Sequence, residues 1–320
     1  PEHTAAASAF IVPETIIGRR DGVSWLTQLG YDRVNPQMPE VQPAPQPPAE
    51  LFFEDGQISG ADWLALIART SAALRASGAE GVVLARDLHA IAEQKICPAW
   101  LLHQWRRNYG GSTCYLVDGL VGATPEILVH RRGGLTTSRI LAGTTQRLDN
   151  VDEPAEIARL LSSQQRMHQH RLSVESAATA LGAHMSGIHV PEAPFVLALP
   201  DMLHLVTDIC GVTEGTFSTL ALAAAVHPLS SVTGFPTDQA RTILANSGFD
   251  RGRFCAPVGW IDAQGDGDWF VALRAAQLSP DWKGVTLYAS ASVDPDTAPH
   301  NKLVSTEMKF ALMRQFLAGD

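Results

Sequence analysis

Residues 115–147, YLVDGLVGATPEILVHRRGGLTTSRILAGTTQR, decide how the rest of the chain is read. Three apolar runs, 115–117, 126–129 and 140–142, are separated by Gly-rich turns. That punctuation is the pattern of an antiparallel meander. Glu126 follows Pro125 and heads the middle run. Its neighbours Gly122, Ala123 and Ile127 are small or apolar, which predicts a poorly solvated carboxyl group. Poor solvation raises a carboxyl pKa and suits a general acid. The competing reading is a turn glutamate at a strand start.

Outward from that stretch, bulk properties narrow the function classes. The chain has 320 residues, 45% of them apolar and 18% charged, as in an ordinary globular protein with ample core. A net charge of −9 argues against nucleic acid or an anionic membrane as partner. It leaves room for a small anionic ligand in a local cationic pocket. Lysine is scarce, occurring only at Lys95, Lys283, Lys302 and Lys309. Cys97, Cys114, Cys210 and Cys255 show no metal-ligand spacing and read as reduced thiols of a cytoplasmic protein. No apolar run is long enough to span a membrane, and no secretory signal is evident. The chain is expected to act as a monomer.

Residues 1–50 form a short N-terminal segment ending in a connector, 35–49, with six prolines. Residues 51–320 are expected to form a single domain. Helices are predicted at 60–77, 98–107, 152–182, 216–226, 237–246 and 297–318, and strands at 81–88, 195–205, 249–278 and 285–293. Pro200 is expected to break the segment 195–205, and 227–236 to be a turn. Helices interspersed with hairpins, without βαβ alternation, predict an α+β fold with mainly antiparallel sheets.

Some familiar-looking motifs fail on geometry. His168 and His170, two apart on a helix, point to different sides and make no metal pair. The GDGD run at 265–268 is a hairpin turn without the strand and helix of a phosphate loop. No nucleophile elbow is present.

Ten ordered segments nevertheless resemble one family. They are GVVLARDL (81–88), VGATPEILVH (121–130), LAGTTQR (141–147), LLSSQQRMHQH (160–170), LHLVTDICG (203–211), HPLSSVTGFP (227–236), FDRGRFCAPVGWID (249–262), VALRAAQL (271–278), LYASASV (287–293) and STEMKF (305–310). Together they resemble the chorismate-utilising enzymes: isochorismate and salicylate synthases and the large subunits of anthranilate and aminodeoxychorismate synthases. GWID followed by GDW is most similar to the isochorismate synthase branch. The resemblance implies two stacked, mainly antiparallel sheets flanked by helices, preceded here by a shortened N-terminal part. It gives Glu126 the role of general acid toward the departing ring hydroxyl. Arg274 would grip the enolpyruvyl carboxylate, bidentately as a guanidinium can, with Lys309 nearby. His204 would line the ring pocket, Gly143 and Thr144 would form a substrate-facing turn, and Ser231 would face the substrate.

The chain also departs from the family pattern. The resemblance implies Mg²⁺ held by acidic pairs on two helices, but those positions carry Arg166 and Gln169, and Lys302 and Ser305. None is a carboxylate, so no metal cofactor is expected. Arg166 and Lys302 place fixed positive charge where the ion would sit and are expected to bind substrate. The lysine that activates water in the family is here Gly81, and glycines of a carboxylate-binding turn are Ser290 and Ser292. What remains suits a metal-independent rearrangement or elimination of a chorismate-type substrate. Two alternatives stay open: a non-catalytic binder, or a conventional Mg²⁺ enzyme with ligands relocated to Asp294, Asp296 or Glu307.

Overall fold

The computed structural model describes residues 8–30, 37–147, 152–199, 202–213, 215 and 217–319. Asn35 and Pro36, which open the proline-rich connector, Pro200 and Thr216 lie outside these residues. A hairpin of β1 (Thr15–Arg20) and β2 (Val23–Gln28) comes first. There follow β3 (Leu51–Asp55), α1 (Gly60–Ser77), β4 (Gly81–Ala92), α2 (Pro98–Asn108), β5 (Thr113–Val117), β6 (Leu120–Thr124), β7 (Ile127–Arg132) and β8 (Leu135–Gln146). The middle of the chain supplies α3 (Glu153–Ser162), α4 (Gln164–Gly182), β9 (Met185–His189), β10 (Phe195–Ala198), β11 (Met202–Thr213), α5 (Thr219–Val226), α6 (Ser230–Thr233) and β12 (Gly234–Phe235). It closes with α7 (Thr237–Ala245), β13 (Pro257–Ile261), β14 (Gly267–Val271), β15 (Ala275–Leu278), β16 (Gly284–Val293) and α8 (Pro299–Ala318).

Two antiparallel sheets of seven strands each carry the fold, as the α+β reading expects. In one, the order is β12-β4-β16-β15-β6-β5, with β3 also on β4. In the other it is β10-β11-β8-β7-β14-β13, with β9 also on β11. Side-chain alternation along each strand divides the core into layers. In β4, Leu88, Ala90 and Ala92 pack in a cluster with Leu101 and Trp105 of α2 and Phe310 and Phe316 of α8. Ala85 points the other way and joins Tyr288, Leu128, Val129, Ile140, Ile209 and Val271 in a second cluster, together with Val174, Ala177 and Leu181 of α4. Trp63, Ile67 and Leu74 of α1 cover Val82, Leu84, Ala291 and Val293. Ser59 caps α1 by accepting from the Asp62 N–H, and Gly78 ends it in the left-handed region at φ 72°.

Three expectations need correcting. The 115–147 stretch is not one meander: β5 and β6 belong to the first sheet, β7 and β8 to the second. The chain changes sheets at Pro125-Glu126, where Pro125 brings no N–H to a ladder. The helix expected over 152–182 is two helices, broken at Ser163, whose hydroxyl accepts from the Arg166 N–H to cap α4. The 227–236 turn contains α6 and β12, between cis peptides at His227-Pro228 and Phe235-Pro236.

Candidate active site

The chain passes from one large sheet to the other at 125–126 and back at 272–274, and these crossovers touch. The Val271 N–H donates to the Glu126 carbonyl at 3.2 Å. Each crossover presents one charged residue, Glu126 and Arg274, to a cavity of about 600 Å³. That size suits a single small ligand. The cavity is also lined by Gly81, Gly143, Thr144, Arg166, Gln169, His204, Ser231, Ser290, Ser292, Lys302, Ser305 and Lys309. The structure thus brings together the residues that the resemblance assigns to substrate and metal positions, from 81 to 309, but not Asp296 or Glu307.

Glu126 is 1% exposed. Its Oε1 accepts from the Ser231 hydroxyl at 2.7 Å. Burial pushes its carboxyl up to about 7, although Ser231, the Leu141 N–H and the Arg274 charge all favour the ionised form. A carboxyl group in that range is substantially protonated at neutral pH and can donate to a leaving oxygen.

Arg274 is held by aromatic side chains. Its backbone sits at φ 44°, uncommon for a residue with a side chain. Trp105 Nε1 donates to the Arg274 carbonyl at 2.5 Å, and the Tyr115 hydroxyl donates to the Leu273 carbonyl at 3.0 Å. The guanidinium lies over the Tyr109 ring, 5.1 Å from its centre. Gly122 makes this possible: a Cβ there would fall 2.2 Å from the Tyr115 hydroxyl. Sequence reading takes Trp105 as helix core and misses its bond to Arg274. Trp105 in the last turn of α2 and Tyr109 at its C-cap are the one available signal.

Arg274 Nη2 lies 3.4 Å from His204 Nε2. A guanidinium only donates, so Nε2 accepts and the proton sits on Nδ1, directed at Thr144 Oγ1, 2.9 Å away. Burial, reinforced by the charges of Arg274 and Lys309, depresses His204 to about 3 and keeps it neutral. Thr144 is not in a turn, as the resemblance implies. It pairs with His204 inside the long strand β8, beside a register shift that leaves Gly143 as a bulge at φ 72°. A Cβ on Gly143 would meet the Arg166 carbonyl and Leu205, each at 2.9 Å. Ser290 and Ser292 likewise lie in strand β16, paired with Ala85 and Val83. The Ser290 carbonyl accepts from Lys309 Nζ at 2.7 Å.

Arg166 on α4 and Lys302 on α8 also line the cavity. Burial lowers both pKa values, and the Arg166 charge adds to the lowering at Lys302. Magnesium takes hard oxygen donors. Arg166, Gln169, Lys302 and Ser305 offer two cations, an amide and a hydroxyl, and do not fit a divalent cation. Glu307 pairs with the buried Arg86 at 2.8 Å, outside the cavity, and Asp296 does not line it; Asp294 does. Among the described residues, no group of three or more His, Cys, Asp or Glu is placed to hold a metal ion. Nor is any described helix long and apolar enough to cross a membrane.

A family model described as chorismate binding enzyme matches residues 5–318. The chain belongs to that family. Within the chorismate binding enzymes it is similar to the isochorismate synthase DhbC of Bacillus subtilis (strain 168), 35% identical over 253 residues. That alignment covers 75% of this chain and 63% of the relative, less than two thirds of its length. Its fold is shared by MenF, the menaquinone-specific isochorismate synthase from Escherichia coli, with a TM-score of 0.77 and 24% identity, covering 87% of this chain and 65% of that one. It is shared also by anthranilate synthase component I from Streptococcus pneumoniae TIGR4, with a TM-score of 0.71 and 20% identity, covering 82% of this chain and 59% of that one. The chain is therefore an isochorismate synthase-like member of the chorismate-utilising enzymes.

Proposed function

We propose that this chain is a metal-independent enzyme that acts on chorismate, isochorismate or a close derivative by pericyclic rearrangement or elimination. The observation that carries the reading is Glu126: a buried, protonatable carboxyl at a sheet crossover, opening on a cavity whose other charged groups are mostly cations. Arg274 and Lys309 supply positive charge for one substrate carboxylate. Neutral His204, its tautomer fixed by Thr144 and Arg274, presents a flat wall to the ring. Glu126 donates a hydrogen bond or a proton to a ring oxygen. No side chain at Gly81 activates water, and the helix residues do not suit magnesium. Reactions without an external nucleophile are the ones left.

Chorismate to prephenate breaks the ether C–O bond and forms a C–C bond. Isochorismate to salicylate breaks the same bond and moves a ring hydrogen to the departing enolpyruvyl carbon, releasing pyruvate. Both need a compressed conformer and an electrostatic field, which a rigid cationic cavity supplies. Incubating the protein with each compound in EDTA, and following loss of diene absorbance with product analysis, tests the reading. Conversion is expected; absence of turnover with every such compound would sink it.

A second reading draws on the names of the relatives: conventional isochorismate synthase activity, with Asp294 as one relocated ligand. Isomerisation of chorismate only when Mg²⁺ is added would favour it. Binding without turnover would favour a non-catalytic binder.

A further inference from the structure

A second cavity, of about 580 Å³, is lined by α6, α7, the segment 246–255 and the residues just before α6. It adjoins the first, since Val232 and Phe254 line both. The short helix α6 serves each of them. Its Ser231 bonds Glu126 in the first cavity, and its Thr233 lines the second. The volume is enough for one small organic molecule.

Two polar side chains in this lining are left unsatisfied by the protein. His227 is the C-cap of α5, and both of its ring nitrogens are buried without a hydrogen-bond partner. Burial depresses its pKa to about 4, so the ring is neutral, with one N–H donor and one bare acceptor nitrogen. Buried polar groups are seldom left unpaired unless something outside the chain completes them.

Arg251 is the other. Its Nη1 donates to the Val232 carbonyl at 2.7 Å and its Nη2 to the Val83 carbonyl. Carbonyl oxygens accept these bonds without neutralising the charge, and burial lowers the arginine's pKa. Among the described residues Arg251 has no ion-pair partner. The group that favours its charge is the Cys255 thiol, itself pushed up to about 12 by burial and therefore uncharged. The wall also carries Arg241, Asp238 and Asp250. Asp238 is exposed in the first turn of α7, where the helix dipole favours it. Asp250 accepts from the Gly252 N–H at 2.8 Å. Neither carboxylate pairs with Arg251, so the uncompensated charge of the cavity is positive. Phe249 and Phe254 give it flat apolar walls.

We infer that this second cavity is a binding site for a small aromatic carboxylate bearing a ring hydroxyl. Its carboxylate meets Arg251, its hydroxyl meets His227, and its ring packs against the phenylalanines. A hydroxyl both donates and accepts, as a neutral imidazole with two free nitrogens requires. A guanidinium takes a carboxylate in charge-assisted hydrogen bonds. The site is separate from the Glu126 cavity and does not depend on the reaction proposed there.

Calorimetric titration of the full chain with 3-hydroxybenzoate, 4-hydroxybenzoate, benzoate and benzamide tests the site. The better of the two hydroxybenzoates is expected to bind saturably, about 2–10-fold more tightly than benzoate, as one hydrogen bond allows. Benzamide, which lacks the charge, should bind at least about tenfold more weakly than benzoate. His227→Phe keeps a ring without its nitrogens and should bind benzoate and the hydroxybenzoate equally. Ala245 is exposed at the end of α7, and Ala245→Trp should abolish binding by filling the cavity, with thermal unfolding unchanged. Arg274→Gln, in the first cavity, should leave every affinity as in wild type. No saturable binding of any of these acids at millimolar concentration would overturn the site. So would binding that survives Ala245→Trp and is lost in Arg274→Gln, or a hydroxyl preference that His227→Phe leaves intact.

Discussion

Among the residues lining the first cavity, Glu126 and Arg274 stand on two sheet crossovers and His204 beside a strand bulge. Hydrogen bonds to Ser231, Trp105 and Thr144 fix them at 2.7, 2.5 and 2.9 Å. Arg166 and Lys302, which line the same cavity, are long side chains near the starts of two helices, with no ion-pair partner among the described residues. The crossover residues cannot change without disturbing backbone. Gly122 and Gly143 admit no Cβ, and Arg274 has an unusual φ. Arg166 and Lys302 are half-buried, and exchange of their charge is expected to leave the packing of α4 and α8 in place. The crossover residues are therefore tied to backbone geometry more tightly than the helix-borne pair.

The sharpest way to break this comparison is at Glu126. Glu126→Gln should lower turnover by about 10²–10⁴-fold, the usual contribution of a positioned acid. Its effect on stability should be the reverse. The folded carboxyl titrates near 7, above its ordinary value of 4.5, so the native state binds the extra proton between those values. Stability should fall as pH rises from about 4.5 to 7, with the whole cost present above that. At pH 8, Glu126→Gln should therefore unfold less readily than wild type, by roughly 2–4 kcal/mol. Equal stability at pH 5 and pH 8 would remove the buried acid from the account.

Arg274→Ala should weaken binding of a chorismate-type diacid by about 2–5 kcal/mol, because a buried carboxylate loses its charged partner. Unchanged affinity would mean the crossover residues do not hold the ligand. For the helix-borne pair the expected change is in kind. Arg166→Glu with Lys302→Glu should lose diacid binding in EDTA and regain it with millimolar Mg²⁺, since two carboxylates then face one cavity. Failure to gain any dependence on Mg²⁺ would show that the two positions do not converge on one ligand group. The smallest effect is expected at Tyr115→Phe, which deletes one hydrogen bond at the Arg274 crossover. It should cost about 0.5–1.5 kcal/mol in thermal stability and raise KM more than it lowers kcat.

Much of this could be read before the structure was in hand, for a physical reason. Ordered short motifs point to the fold because each marks an element, strand, turn or helix, that must meet a particular neighbour. The burial of Glu126 is legible from its small, apolar neighbours, but its role in a site comes from the resemblance. Its position at a sheet change is not legible, because alternation along a strand reports which face is buried and never which sheet receives it. The break at Ser163 was hidden because a serine cap carries no Gly or Pro. Gly143 read as a turn residue because a bulge and a turn use the same left-handed glycine. The hold of Trp105 and Tyr115 on the Arg274 crossover was out of reach, because side chain to carbonyl bonds between residues 158 or more apart leave no periodicity. Arg166 and Lys302 stood out through the resemblance alone; their own helix context gives no acid to explain them.

Direct cationic binding in place of a metal is tested most simply by titrating chorismate into the protein twice, once in EDTA and once in excess Mg²⁺, with heat as the readout. The same affinity in both, lost when Arg166 and Lys302 are both changed to glutamine, is the predicted result. Binding seen only with Mg²⁺ would contradict it.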